Sequence, residues 1–254
     1  MNYSVAFWTI VTKEVRRFTR IWPQTLLPPA VTTSLYFLIF GKLIGDRIGA
    51  IDGASYMEYI VPGVILMSVI SHSYANVVSS FYSTKFQRNI EELLVSPIPN
   101  WVILAGYVSG GIIRGIMVGL VVALISLGFT DIRVEHPGIS IAVFILTATL
   151  FALAGFINAV FADSFDDIAI IPSFVLTPLS YLGGVFYSVA MLPEIWQKIS
   201  LGNPILYMIN AFRYGLIGVT DIGIEIAFAI TTGFIGLLTL FSLYLLKKGI
   251  GIKN

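Results

Sequence analysis

The fold is decided by uncharged stretches such as His136–Ala162, HPGISIAVFILTATLFALAGFINAVFA, which contains no Asp, Glu, Lys or Arg. Five more stretches share this character, one of them interrupted only by Arg114: Ile21–Gly41, Tyr59–Thr84, Leu93–Thr130, Ile168–Pro193 and Ile226–Leu246. Each is long enough to supply the roughly 20 residues with which a helix crosses the ~30 Å hydrocarbon core of a bilayer. Because backbone polar groups in lipid must be paired within the segment, we expect six transmembrane helices.

The composition agrees with a membrane protein, since 57% of the 254 residues are hydrophobic, 11% are charged and the mean hydropathy is +0.89. Soluble domains carry about 25% charged residues. Six crossings leave too little chain for a soluble catalytic domain. We therefore predict one all-α polytopic domain over residues 1–254, with an interfacial helix in residues 1–20 and a six-span bundle in residues 21–254. The net charge of +1 does not favour a nucleic-acid partner, and the lack of cysteine excludes disulfides and thiolate metal sites.

The first twenty residues have the pattern of an amphipathic helix. At about 100° per residue, one face collects Lys13, Arg16, Arg17 and Arg20, and the other collects Phe7, Ile10, Val11, Val15 and Phe18. A cationic helix with Trp8 at its apolar edge is expected to lie in the plane of the lipid headgroups. A helix that faces water and packs on a partner would show the same pattern, so this alternative stays open. The basic residues follow the apolar ones, which argues against a secretory signal peptide.

The distribution of Lys and Arg between the connectors predicts the orientation in the membrane. With six crossings both termini lie on one side, which collects nine basic residues: Lys13, Arg16, Arg17, Arg20, Lys85, Arg88, Lys247, Lys248 and Lys253. The other side collects five: Lys42, Arg47, Arg133, Lys198 and Arg213. We therefore predict cytoplasmic termini, although the connector Asp163–Asp167 carries three Asp and no base on that side.

The connector Lys85–Pro99, KFQRNIEELLVSPIP, has the pattern of a short amphipathic helix. Its apolar residues recur at Phe86, Ile90 and Leu93, while the charged residues occupy other faces. The prolines near its end prevent the helix from continuing. With cytoplasmic termini, this helix lies on the cytoplasmic side.

The segment Val189–Tyr214 has a different pattern. Its uncharged part, Ile199–Phe212, is too short to cross a bilayer and too apolar for a free loop. It also contains two asparagines and a proline. We expect a re-entrant or interfacial helical hairpin at the outer leaflet.

No residue pattern predicts catalysis by this chain. The sequence has no GxxxxGK[ST] phosphate loop, and its two histidines, His72 and His136, belong to no metal-binding motif. The predicted spans carry no Asp or Glu near their centres, which argues against ion-coupled transport. We expect no catalytic residue, no metal and no cofactor bound by the chain itself.

Polar residues inside the predicted spans fall on two helical faces. The second span carries Ser68, His72, Asn76 and Ser79, and the fifth carries Ser173, Thr177 and Ser180. Such faces either form hydrogen bonds between helices or line a pathway, and both interpretations stay open. Arg114 lies in mid-span, where a guanidinium must be satisfied inside protein or at a thinned bilayer, and the sequence identifies no partner for it. The glycines that surround Arg114 in the same span predict close helix packing.

Three local patterns together resemble the ABC-2 type transporter permeases, the membrane subunits of ATP-binding-cassette exporters. The sequence IEELLVSPIP (Ile90–Pro99) is similar to the coupling-helix region of that family. Residues Ser164–Gly215 are similar to its C-terminal signature, with Gly183–Gly184, Asn203–Pro204 and Arg213 in the expected order. The amphipathic N-terminal helix and the six-span layout also fit, so the resemblance covers nearly the whole chain.

The resemblance implies a half-transporter in a prokaryotic inner membrane. As in the family it resembles, two copies of the permease would form a homodimer. This dimer would bind two copies of a separate ATPase that holds ATP and Mg²⁺. The coupling residues carried over are Phe86, Arg88, Ile90, Glu91, Glu92, Leu93 and Leu94, with the second and fifth spans lining the pathway. Membrane lipid would contact the interfacial helix. An ion-coupled secondary transporter and a non-transporting scaffold remain the alternatives, and nothing in the sequence selects a substrate.

Overall fold

The computed structural model describes residues 2–51, 53–131 and 133–251, so that Lys253, which was counted for the orientation, lies outside the described residues. Helices dominate this part of the chain, and two-residue strands β1 (Ala50–Ile51) and β2 (Ala54–Ser55) form one antiparallel hairpin. The helices are α1 (Tyr3–Thr19), α2 (Trp22–Tyr36, continued by a π-helix over Phe37–Ile44), α3 (Gly45–Ile48), α4 (Tyr56–Phe86), α5 (Asn89–Val95), α6 (Asn100–Ser126), α7 (Pro137–Phe161), α8 (Asp167–Ile171), α9 (Thr177–Leu182), α10 (Glu194–Leu201), α11 (Pro204–Ile217) and α12 (Ile224–Lys248). A π-helix over Pro172–Leu176 joins α8 to α9, and a 3₁₀ turn occupies Val189–Met191.

Within the described residues, five helical segments are long and apolar enough to cross a membrane: Trp22–Ile44, α4, α6, α7 and α12. Each overlaps one of the six uncharged stretches of the sequence. The sixth stretch, Ile168–Pro193, forms the shorter apolar helical run Asp167–Leu182. The expectation of an all-α polytopic membrane protein is therefore met, with five full-length spans and one short segment.

Helix α4 is the centre of the bundle and packs along both α6 and α7. Its start is fixed by a capping box, in which Ser55 Oγ accepts from the Glu58 amide at 3.3 Å and the Glu58 carboxylate accepts from the Ser55 amide at 2.8 Å. Glycines bring the neighbouring helices into close contact with it, as predicted for α6, where a β-carbon at Gly111 would lie 2.5 Å from Cγ2 of Val77. A β-carbon at Gly155 of α7 would lie 2.5 Å from the Tyr74 carbonyl oxygen, so only glycine fits there.

The two ends of α4 define the two ends of the bundle. One end of the bundle lies at the C-terminus of α4, and we call it the N-terminal end because α1 reaches α4 there, with Lys13 Nζ 3.4 Å from Thr84 Oγ1. At this end Tyr82 donates to the Asp163 carbonyl at 2.9 Å, and Lys85 donates to the Val160 and Ala162 carbonyls at 2.8 Å each. The Lys85 ammonium thereby satisfies the carbonyls that α7 leaves free at its C-terminus. The turn that follows α4 places Arg88 at a φ of 61°, a left-handed conformation that strains a non-glycine residue.

The segment between α7 and the outer connector runs the length of α4. It begins at Asp163, beside Tyr82, and reaches Phe186, whose carbonyl accepts from Tyr56 OH at 3.0 Å. Residues 56 and 82 of one helix are about 39 Å apart at 1.5 Å per residue. The segment Asp163–Phe186 thus connects opposite ends of the bundle, and the helical run Asp167–Leu182 at its centre widens to a π-helix at Pro172.

The segment Val189–Tyr214 contains the two short helices α10 and α11, and Arg213 of α11 is buried at 1% exposure. Its guanidinium donates to the carbonyls of Tyr59 at 3.3 Å and Gly184 at 2.6 Å, and it lies 3.9 Å from the centre of the Tyr59 ring. Arg213 was counted with the outer connectors, and the structure places its charge inside the bundle, where it ties α11 to α4.

Candidate functional site

The N-terminal helix α1 lies in a groove of α6 that two glycines create. A β-carbon at Gly106 would lie 2.6 Å from Cγ2 of Ile10, and one at Gly110 would lie 2.5 Å from Cβ of Glu14. The backbones of α1 and α6 approach so closely only because both positions lack a side chain. Gly106 and Gly110 thus fix the position of α1 on the bundle.

The face of α1 predicted to enter the lipid packs largely on the protein. The buried residues of this helix are Ile10, Val11, Glu14 and Phe18. Trp8, expected at the apolar edge, is 60% exposed. The amphipathic pattern of α1 is confirmed. Much of its apolar face packs against α6 rather than against acyl chains, because Gly106 and Gly110 leave a groove for it.

The four basic residues of α1 divide into two pairs. Arg16 and Arg20 are exposed, as expected for an interfacial helix. Lys13 lies 3.4 Å from both Thr84 Oγ1 and Tyr107 OH. Arg17 donates to the carbonyl and the side-chain oxygen of Asn76 at 2.8 Å each and to Ser79 Oγ at 3.3 Å. The structure therefore places Lys13 and Arg17 in contact with α4.

Glu14 is a functional candidate that the sequence analysis missed. Its side chain is 0% exposed, and its carboxylate accepts from Ser80 Oγ at 2.6 Å. Arg17 and Lys13 lie 3.4 and 3.9 Å from the same carboxylate. The signal was present, since Glu14 stands one helical turn from both Ile10 and Phe18, on the apolar face of α1.

Arg114 lies one turn beyond Gly110 on α6, and a β-carbon at Gly110 would lie 3.4 Å from the Asn76 amide nitrogen, one turn from His72 on α4. Among the described residues, none offers Arg114 a hydrogen bond or an ion pair, and its Nε is buried without a partner. The expectation that the bundle satisfies this guanidinium is therefore not met within the described part of the chain. Buried nitrogens of Arg17, His72 and Asn76 also lack partners there.

The residues expected to line a pathway fall into different environments. Ser68 and His72 line a cavity of about 230 Å³ between α2 and α4. Asn76 is fully buried beside Arg17. Ser173 and Thr177 are exposed on the outside of the bundle, and Ser180 is buried with its hydroxyl donating to the Leu176 carbonyl at 2.7 Å. One subunit does not bring these two polar faces together.

Helix α5 forms where the amphipathic connector predicts it, but part of its apolar face points inward. Ile90 is 1% exposed, so its expected contact with an ATPase is wrong, because it packs in the core of this chain. Leu93 and Leu94 are partly buried against the same core. The outward apolar residues are Phe86, at 64% exposure, and Val95, at 85%.

The charged residues of this connector, Arg88, Glu91 and Glu92, are exposed as predicted. Phe86 packs against Phe165, with ring centres 5.3 Å apart, and Phe165 is itself about half exposed. A cavity of about 480 Å³ separates α5 from α1 and is lined by residues of both, including Glu92 and Lys13. We call Phe86, Arg88, Glu91, Glu92 and Val95 the α5 surface.

Comparisons with known proteins give a family and a relative. Residues 5–217 match the family model described as ABC-2 type transporter. The chain is 54% identical over 253 residues to the inner membrane transport permease YadH of Escherichia coli strain K12, covering 99% of this chain and 98% of that protein. It is 26% identical over 186 residues to nodulation protein J of Sinorhizobium fredii, covering 71% of this chain and 69% of that protein.

Proposed function

This chain belongs to the ABC-2 type transporter family, and we propose that it is the membrane subunit of an exporter that a separate ATPase drives. The family and the relative support a transport permease in a multi-pass, inner-membrane setting. The observation that carries the finer proposal is the α5 surface, where Phe86 at the end of α4 and Val95 at the end of α5 are exposed at the N-terminal end of the bundle. Exposed aromatic and aliphatic residues ringed by charges are typical of a protein-binding surface.

We assign the N-terminal end of the bundle to the cytoplasm. The bases assigned to this end outnumber those assigned to the other end by nine to five. The run Asp167–Leu182 then makes the sixth crossing, because it joins the two ends of α4. Helices α10 and α11 form the outer re-entrant hairpin, supported by the Asn203 amide, which donates to the Leu179 carbonyl at 2.6 Å within that crossing.

The transport pathway lies between two copies of the chain. Ser173 and Thr177 support this placement, because both are exposed on a largely apolar helical run, where the Thr177 hydroxyl donates only to the Pro172 carbonyl of the same run, at 2.9 Å, among the described residues. The run lies beside the first span, where Tyr36 OH and Tyr181 OH are 3.4 Å apart. A homodimer that joins these two helical segments would bring the polar residues of both copies to one interface.

The coupling mechanism follows from the position of α5. Closure of the ATPases on ATP would push on Phe86, Arg88 and Val95, and the short turn at Arg88 would transmit the movement into α4. Helix α1 would follow, since Lys13 and Arg17 attach it to α4. The central helix and the N-terminal helix would then switch the interface between subunits from inward-facing to outward-facing.

One observation bears on the alternative of an ion-coupled secondary transporter. Glu14 is a carboxylate buried within the bundle, and buried carboxylates serve as ligands for coupling ions. Its oxygens, however, already lie close to Ser80, Arg17 and Lys13. A carboxylate that is held by two cations and a hydroxyl is poorly placed to bind a third cation, so we retain the ATPase-driven permease.

Affinity purification of the tagged permease from its native membranes tests the proposal. We expect a chain that carries a GxxxxGK[ST] motif to co-purify in equal amount, and the permease itself to be dimeric by crosslinking. Untagged membranes serve as the control. A correctly inserted, monodisperse permease that retains no such chain in a mild detergent would contradict the ATPase-driven mechanism.

A further inference from the structure

We propose that α1, α4 and α6 form a binding site for a phosphate-type oxyanion, which Arg17, His72, Asn76 and Arg114 bind together. This inference rests on the proposed function and names the chemistry of the group that the permease accepts from the N-terminal side. The observation behind it is that buried nitrogens of all four side chains lack a partner among the described residues: Arg17 Nε, His72 Nδ1, Asn76 Nδ2 and Arg114 Nε. Unpaired buried polar atoms are costly, and the nitrogens of Arg17, Asn76 and Arg114 can only donate, so they indicate an absent acceptor.

Asn76 has a defined orientation in this site. Its side-chain oxygen accepts from Arg17 at 2.8 Å, so its amide nitrogen must be the atom that points the other way. That nitrogen lies 3.4 Å from the position that a β-carbon of Gly110 would occupy. The residue is 0% exposed, which means that its free N–H groups face the contact between α4 and α6 rather than water.

The charges around the site also favour an anion. Lys13, Arg17 and Arg114 bring three positive charges, while Glu14 brings one negative charge, which Lys13 and Arg17 already share. Arg114 has no acid or carbonyl acceptor among the described residues. A guanidinium without a counter-ion is expensive in a membrane, and a planar fork of N–H donors matches the oxygens of a phosphate.

The depth of the site favours an anion carried on an amphipathic molecule. On α4, Asn76 and His72 lie about 15 and 21 Å from the N-terminal end at Phe86, and on α6, Gly110 and Arg114 lie at similar distances from Asn100. These positions lie in the interior of two helices that are long and apolar enough to cross a membrane. His72 also borders the cavity of about 230 Å³ beside α2, which gives the attached group a path into the site.

A second copy of the chain is a poor source of the missing acceptor. Apart from Glu14, the acidic side chains that the structure describes lie in connectors or in the first or last turns of helices. Glu14 is fully enclosed in its own subunit. A carboxylate from the partner subunit at the depth of Arg114 is therefore not available from the described residues.

Binding to the purified permease, without any ATPase, tests the site. The permease in a neutral detergent is titrated with phosphatidic acid, with diacylglycerol of the same acyl chains, or with inorganic phosphate, and affinity is followed by thermal stabilisation. We expect phosphatidic acid to stabilise the protein and diacylglycerol to have no such effect. Stabilisation by inorganic phosphate alone, to the same extent, would identify the free ion as the ligand of the same site.

Arg114→Gln should weaken phosphate-dependent stabilisation about 10-fold or more, because it removes a charge-assisted bond, whereas Arg114→Lys should retain most of it. His72→Ala, which leaves the arginines in place, should weaken phosphate-dependent stabilisation several-fold. This variant tests the site if Arg114→Gln does not fold. Arg20→Gln, an exposed arginine of the same α1, is the matched control and should bind as wild type. Equal binding by wild type, Arg114→Gln and His72→Ala, or an equal loss in Arg20→Gln, would overturn the proposal.

The two proposals fail separately. Loss of the anion site would show in the binding titration while the ATPase still co-purified with the permease. Loss of the ATPase partnership would show in co-purification while phosphatidic acid still bound in an Arg114-dependent manner.

Discussion

Replacing Phe86 with Ala and Val95 with Asp together should release the ATPase from the permease, with an affinity loss of about 30-fold or more. Both side chains are exposed on the α5 surface, at 64% and 85%, so their loss removes outward contacts and not core packing. Truncation of an anchoring side chain at an interface commonly costs about 2 kcal/mol or more, which is a factor of about 30. Affinity between the purified permease and the ATPase measures the effect directly.

Two controls separate coupling from folding in that experiment. Ile90→Ala should lower the stability of the permease by about 2 to 5 kcal/mol, because this side chain is 1% exposed and its truncation leaves a cavity. Phe129→Ala, an exposed phenylalanine at the opposite end of the chain's bundle, should leave ATPase affinity unchanged. A Phe86→Ala, Val95→Asp variant that binds the ATPase as wild type does would show that the α5 surface is not the contact.

Replacing Gly110 with Leu should detach α1 from the bundle and destabilise the protein by about 3 kcal/mol. A β-carbon there would lie 2.5 Å from Cβ and 2.9 Å from Cγ of Glu14, and these atoms belong to a helix that cannot retreat without leaving its groove. Displacement of α1 would also break the contacts of Glu14 with Ser80 and of Arg17 with Asn76. Thermal unfolding measures the first effect, and trypsin cleavage after Arg17 measures the second.

The matched control for this substitution is Gly236→Leu in α12. A β-carbon at Gly236 would meet no atom within 4 Å, so a leucine at this position points to lipid and should unfold at the wild-type temperature. Gly110→Leu protein with wild-type stability and wild-type trypsin resistance would show that α1 is not held by the groove.

The sequence predicted the parts of the fold that depend on the bilayer. Uncharged stretches mark α4, α6, α7 and α12 because a charged residue in lipid is costly, and this penalty applies whatever the neighbouring helices are. The break at Pro97 likewise predicted the end of α5, since a proline lacks an amide hydrogen. These features are properties of a single segment and its solvent.

The errors arose where tertiary contacts decide the outcome. Ile90 and Val95 are both apolar residues of one short helix, and only the packing of α5 on the bundle shows which of them faces outward. Arg213 was counted with the outer connectors, and the sequence alone does not show that two carbonyls and the Tyr59 ring hold its guanidinium inside the bundle. Glu14 was overlooked because its partners Ser80 and Arg17 come together only when α1 docks on α4 and α6.

The most direct test of the account is ATP turnover by the partner ATPase in proteoliposomes, measured with and without this permease. The account predicts that wild-type permease stimulates turnover several-fold, and that the Phe86→Ala, Val95→Asp variant, inserted to the same level, does not. Turnover that is the same with wild-type permease, with the variant and with empty liposomes would contradict the claim that this chain is the ATPase-driven subunit of a transporter.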